Sequence, residues 1–167
     1  MLSVLTAVAS VGRVIFTPIP SVQPASFIII MTGILFGGRA GLIVGGLSAL
    51  LSNIFLGQGP WTIGQMILWG AMGLTAGLIG SLLKKSIVYR MMFGFIWGFI
   101  FGWGMDISMY IYSRGLNLYM LFIYSAYFDF LHAIGNVAFI AFSGNNVMKI
   151  FLRIKQKYGL FERGVKK

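Results

Sequence analysis

Residues Asn53 to Gly70 read NIFLGQGPWTIGQMILWG, an uncharged polar and aromatic stretch set between two long apolar runs. Pro60 has a fixed φ and no amide hydrogen, which suits the first turn of a helix, and Gly57 and Gly59 permit a sharp reversal just before it. The stretch therefore predicts a helix hairpin with its tip at Gly57 to Trp61. Beyond the tip, Gln58, Trp61, Gln65 and Trp69 recur at helical spacing, placing two amides and two indoles on roughly one stripe. Together with Asn53, such a stripe suits a pocket for a flat, polar small molecule. The same residue types also serve as interfacial anchors and as glue between membrane helices, so the stripe alone leaves both roles open.

Composition sets the surroundings of this hairpin. The chain has 167 residues, 58% hydrophobic and 10% charged, with most charge in short connections and at the C-terminal end. One domain is expected from the length, and the apolar runs approach the roughly 20 residues that cross a bilayer. The expected fold is an all-α membrane protein of about six transmembrane helices. A net charge of +10 in such a chain reflects orientation and contact with anionic lipid, not nucleic acid. No cysteine is present, which excludes disulfides, thiolate metal sites and cysteine nucleophiles.

Taken in order, the spans are Leu2 to Phe16, Ala25 to Phe36, Ala40 to Leu56, Thr62 to about Leu83, Met91 to about Tyr112, and Met120 to Phe142. The first is read as a span, not a removable signal, because no charged n-region precedes it. In it Ser3 and Ala7, and Thr6 and Ser10, are small residues four apart, and Gly41, Gly45, Ser48, Ala49 and Ser52 do the same in the third span. Such faces let another helix approach closely, within the chain or from a partner. Thr17 to Pro24, with three prolines, is expected to be an extended loop. Residues 1–145 form the membrane domain, and 146–167 a basic tail, amphipathic in its first half. Seven of the 13 Lys and Arg residues lie from Lys149 onward.

With the N-terminus inside, the inner connections carry Arg39, Lys84, Lys85, Arg90 and the tail, and the outer ones only Arg114 and, marginally, Arg13. The positive-inside bias thus places both termini in the cytoplasm. The outer loops are then TPIPSVQP, GQGPWT and SRGLNLY, which would cap an outward-facing pocket.

Little catalytic chemistry is available. The chain has three acids and one histidine, so no enzyme, metal site or resident cofactor is expected. Asp106 and Tyr110 lie one turn apart near the end of the fifth span. Asp129, His132 and Asn136 share a helical face, where Asp129 and His132 would form a proton relay or join Arg13 in a neutralised cluster. Asp106 would pair with Arg13 or Arg114, or meet a ligand. No P-loop is present, so accumulation of a solute would draw on an ion gradient or on another subunit. A stand-alone ion-coupled carrier using Asp129 and His132 is the rival to a binding subunit driven by partners.

The run GRVIFTPIPSVQPASFIIIMTGILFGGRAGLIVGGLSALLSNIFLGQGPWTIGQMILWGAMGLTAGLIG, Gly12 to Gly80, resembles the substrate-binding S-components of energy-coupling factor (ECF) transporters for vitamins, with looser similarity to about Asn145. The resemblance implies a six-helix protein of the bacterial cytoplasmic membrane that binds a vitamin near its extracellular side. It further implies association with a transmembrane coupling protein and two ATPases, toppling for release, and ligand enclosure by the loops after the first, third and fifth helices. Family members dock through Ala-x-x-x-Ala in the first helix, and this chain has Ser3-x-x-x-Ala7 in that place. The Gly-Gln-Gly-Pro-Trp-Thr turn resembles the branch that includes cobalamin transporters, with riboflavin and pantothenate as alternatives. The substrate-binding set expected on this reading is Asn53, Gln58, Trp61, Gln65, Trp69, Asp106, Tyr110, Asp129 and Asn136.

Overall fold

A computed structural model of the chain describes residues 1–113 and 115–158. Arg114 and the end of the tail, with Arg163, Lys166 and Lys167, lie outside the described residues. The described chain is helical throughout: α1 (Leu2–Ile15), α2 (Ala25–Phe36), α3 (Gly38–Leu56), α4 (Trp61–Leu78), the single-turn α5 (Gly80–Lys85), α6 (Ile87–Tyr112) and α7 (Leu118–Tyr158). Three segments, Gly38–Leu56, Ile87–Tyr112 and Leu118–Ile154, are long and apolar enough to cross a membrane, and α1 and α2 are shorter apolar helices.

Helix α2 is the axis of the bundle. It is apolar on every side, and all of its residues except Ile28 are buried, as expected of a helix enclosed by others. Parallel to it run α4 and α7, through Ser26 against Trp69 and His132, and Phe27 and Phe36 against Phe139 and Phe151. Helices α1, α3 and α6 run the opposite way. This alternation gathers the α1–α2, α3–α4 and α6–α7 loops at one end of the bundle.

Glycines set the two tightest helix pairs. In the α3–α4 hairpin a Cβ on Gly41 or Gly73 would overlap the other's backbone, and one on Gly45 would overlap the Trp69 carbonyl. The small face of α3 that suggested a partner is thus partly spent inside the chain. In the α6–α7 pair, Gly94, Gly98 and Gly102 recur every four residues and meet Asn136 and Ile140, Ala133, and Asp129 in turn. With no hydrophobic driving force between helices in lipid, this close backbone approach supplies the packing energy.

The hairpin tip forms as its sequence predicts. Gly57 adopts φ 102°, Pro60 precedes the first residue of α4, and the Thr62 amide donates to the Gly59 carbonyl. Three boundaries differ. The fourth span ends at Leu78, not Leu83: the chain breaks at Ile79 into α5, where Gly77 and Gly80 lie against Gly38 and Ile34. Helix α6 starts at Ile87, four residues early, capped by the Ser86 hydroxyl accepting from the Val88 amide at 3.1 Å. Helix α7 continues past Phe142 to Tyr158 without interruption. The Thr17 to Pro24 loop is not extended: successive turns link Thr17 to Val14, Ile19 to Phe16 and Val22 to Ile19. Prolines exclude a helix there, but they fit turns equally well.

Candidate functional site

At the three-loop end, α1, α3 and α4 place polar groups around a common centre: Arg13 from α1, Ser52 and Asn53 from α3, and Thr62 and Gln65 from α4. Arg13 comes from the last turn of α1, and its Nη1 donates to the Ser52 hydroxyl and the Asn53 Oδ1, both at 2.6 Å. Asn53 is 1% exposed. Its Nδ2 donates onward to the Thr62 hydroxyl at 2.9 Å and to Gln65 Oε1 at 2.8 Å. The chain of contacts therefore joins three helices through a single asparagine whose oxygen accepts and whose nitrogen donates. The guanidinium also stands over the Trp69 ring, 4.9 Å from its centroid, in cation–π geometry.

Beneath this layer is an aromatic one. Trp69 is fully buried, stacks on Phe101 with centroids 5.1 Å apart, and donates its indole N–H to the Ser26 hydroxyl at 3.1 Å. Ser26 Oγ also lies 2.8 Å from His132 Nε2, and His132 meets the Phe101 ring edge-on. Above the layer, a partly open cavity of about 210 Å³ is bounded by Arg13, Phe16, Thr17, Ser21, Gln23 and Leu56, among others. The folded α1–α2 loop forms its roof, held down by Val22 against Gly135 of α7 and Pro24 against Gly12 of α1.

The residues singled out from sequence divide into groups. Asn53 and Gln65 come together next to Arg13, the one of the three that lines the cavity. Gln58 precedes α4, so it leaves the helical stripe; its Nε2 donates to the Leu50 carbonyl at 3.0 Å, and its Oε1 accepts from Thr62. Trp61, Gln65 and Trp69 do share the stripe, but they form a gradient. Trp61 is exposed and lies over Gly59, Gln65 is half-buried, and Trp69 is part of the core. Asp106 and Asp129 form a separate group, both receiving the Ser125 hydroxyl, at 2.6 and 3.0 Å. Tyr110 is exposed beside the α6–α7 loop, at a second cavity with Gly115 and Asn117. Asn136 lies deeper and donates to the Gly94 carbonyl at 3.0 Å.

Two expected pairings are corrected. Asp129 and His132 share no hydrogen bond although they are neighbours on one face of α7, because different helices take them up: Asp129 faces Gly102 of α6 while His132 faces Ser26 of α2. Arg13 joins neither of them, nor Asp106, since α1 packs against α3 and its guanidinium is taken up by Ser52 and Asn53. Thr62 and Ser26 complete the network without having been picked out, and Ser52 was marked only as a small residue of a packing face. Isolated hydroxyls are too common in apolar helices to mark a site.

The small residues of α1 separate cleanly. Thr6 and Ser10 are buried, with Ser10 Oγ reaching the Ser48 carbonyl at 3.4 Å, whereas Ser3 and Ala7 are exposed beside Val4, Val8 and Val11.

A family model described as the ECF-type riboflavin transporter, S component, matches residues 1–153 of the chain. No curated protein sequence and no solved structure matches it. The matching family is of riboflavin type and not the cobalamin branch that the Gly57 to Thr62 turn resembles.

Proposed function

Because the chain belongs to the ECF-type riboflavin transporter S component family, a transporter component and not an enzyme, we propose that it captures a flavin-type vitamin at the three-loop end of its bundle. The observation that carries this reading is the layered site itself. A cavity roofed by the α1–α2 loop has Arg13 in its wall; Arg13 is held by Asn53, which holds Gln65 in turn, and it stands over Trp69, itself stacked on Phe101. An isoalloxazine ring is flat and apolar on its faces, with carbonyl and imide groups along one edge. Amide side chains match such an edge because each offers both donor and acceptor, and Arg13 adds a fixed cationic donor for carbonyl oxygens. The riboflavin type of the matching family favours a flavin over cobalamin.

In this account Arg13 contacts the ligand's polar edge, Asn53 and Gln65 orient it from behind, and Trp61 and Gln58 close the mouth from the α3–α4 turn. Trp69 supports Arg13 from below. Asp106, Tyr110, Asp129 and Asn136 belong to the α6–α7 side, where Asp106 and Tyr110 line the approach. The site opens to the extracellular side of a bacterial cytoplasmic membrane, with six spans, cytoplasmic termini and residues 146–167 as the basic cytoplasmic tail. The loaded subunit joins a coupling protein and two ATPases through the exposed Ser3 and Ala7 face of α1.

Denaturing the detergent-purified protein and identifying the released small molecule by mass tests the assignment. A flavin is expected. A corrin would reassign the ligand to cobalamin, and an empty protein that binds no member of a vitamin panel would overturn the binding role.

A further inference from the structure

At the opposite end of the bundle, Lys84, Lys85, Ser86, Arg90, Asn145 and Lys149 line a pocket of about 340 Å³ where α5, α6 and α7 meet. Four of these side chains are cationic. Arg90 is only 3% exposed; its Nη2 donates to Asn145 Oδ1 at 2.6 Å, and its Nε has no partner among the described residues. The described carboxylates are remote. Asp106 lies 16 residues along α6 from Arg90, and Asp129 lies 16 residues along α7 from Asn145, each about 24 Å away at the helical rise. A buried guanidinium with an unused donor, ringed by three lysines, is matched by an anion with several acceptor oxygens. The amino-terminal end of α6 adds its partial positive charge to the same spot.

A second feature lies on the neighbouring side of α6. Val88, Met91, Met92, Phe95, Ile96 and Val137 line a groove of about 390 Å³ between α6 and α7. Val88 follows Ile87 and Met91 follows Arg90, both pocket residues, so the groove starts at the level of the cationic pocket, about 100° round α6 from it. Val88, Met92 and Ile96 are each more than half exposed, as suits a surface wetted by acyl chains. A free phosphate would use the pocket and ignore the groove, whereas an amphiphile uses both.

We propose that the pocket and groove together hold one anionic glycerophospholipid, its phosphodiester on Lys84, Lys85, Arg90 and Lys149 and an acyl chain along the groove. Basic pockets between membrane helices bind such headgroups by charge and hydrogen bonding. The lipid would tie α5, α6 and α7 together at the end remote from the vitamin site.

Native mass spectrometry of the purified full chain tests this, with phosphatidylglycerol and phosphatidylcholine of matched acyl chains, and with inorganic phosphate and glycerol 3-phosphate as competitors. Lys84 and Lys85 are exposed, so the K84Q/K85Q double variant folds normally. Retention of phosphatidylglycerol over phosphatidylcholine is expected, falling about fivefold for each lysine removed. The groove variant I96S should weaken phosphatidylglycerol while leaving glycerol 3-phosphate unaffected. Equal binding of the two lipids, or an unchanged preference in K84Q/K85Q, would overturn the proposal. Displacement of the lipid by millimolar inorganic phosphate, with no effect of I96S, would assign the pocket to a free anion instead.

Discussion

Replacing Asn53 by alanine removes the one side chain that connects α1, α3 and α4 at the vitamin end. Three hydrogen bonds disappear, to Arg13 Nη1, Thr62 Oγ1 and Gln65 Oε1. Interhelical hydrogen bonds in membrane proteins contribute about 0.6 kcal/mol on average and about 1.7 at most, and the bond to the guanidinium belongs at the upper end. The sum is about 3 kcal/mol. Arg13 keeps Ser52 and the Trp69 face, so α1 stays docked and the loss falls on the α3–α4 contacts and on the geometry of Gln65. Unfolding of the purified variant in graded SDS, followed by near-ultraviolet circular dichroism, reads the stability change. A parallel vitamin titration reads the site, where a loss of at least tenfold in affinity is expected, since Arg13 and Gln65 lose the group that orients them. Stability within about 0.5 kcal/mol of the parent together with unchanged affinity would refute the placement of Asn53 as the hub.

Other substitutions separate the parts of the account. Gly73→Leu drives a side chain into the Gly41 backbone, and overpacking costs about 1–3 kcal/mol or more; a lowered melting temperature in detergent is expected, with Gly46→Ala, whose Cβ meets only Met66 O at 3.8 Å, as the tolerated control. Trp69→Phe keeps a ring against Phe101 but loses the N–H to Ser26 and weakens the Arg13 contact, so about 1–2 kcal/mol of stability should go, measured by the same SDS titration. Ser3→Leu with Ala7→Leu leaves the vitamin site intact and bulks the exposed face of α1; vitamin binding should persist while co-purification of the coupling module is lost, and loss of both would argue that this face is internal. Ser125→Ala withdraws the one hydroxyl between Asp106 and Asp129, leaving a buried carboxyl without its donor and lowering stability by about 1–3 kcal/mol in the same assay.

Much of the fold was legible because membrane helices announce themselves by composition. The proline and glycines around Pro60 marked the α3–α4 turn, and apolar runs marked the long helices. Helix ends were harder, since a closely packed glycine ends a helix in one place and lies inside it in another. Gly77 and Gly80 meet α2 and the start of α3, and α4 stops, while Gly94, Gly98 and Gly102 lie within an unbroken α6. The repeat of those three glycines every four residues was a readable signal of the α6–α7 seam. At the site, Asn53 and Gln65 could be paired from helical spacing across a tight turn. The partner of Arg13 could not, because its contact with Ser52 and Asn53 depends on α1 lying parallel to α3, a packing choice that no local pattern encodes. For the same reason Asp129 and His132, adjacent on one helix face, point to different neighbours.

The most direct test of the central claim is a riboflavin titration of ligand-free protein in detergent, read by flavin fluorescence. Stacking on the site's aromatic rings and exclusion of water predict quenching that saturates at one flavin per chain and weakens in Asn53→Ala and Gln65→Ala. Fluorescence that never saturates, in a protein confirmed folded by circular dichroism, would contradict the assignment of this site to a flavin.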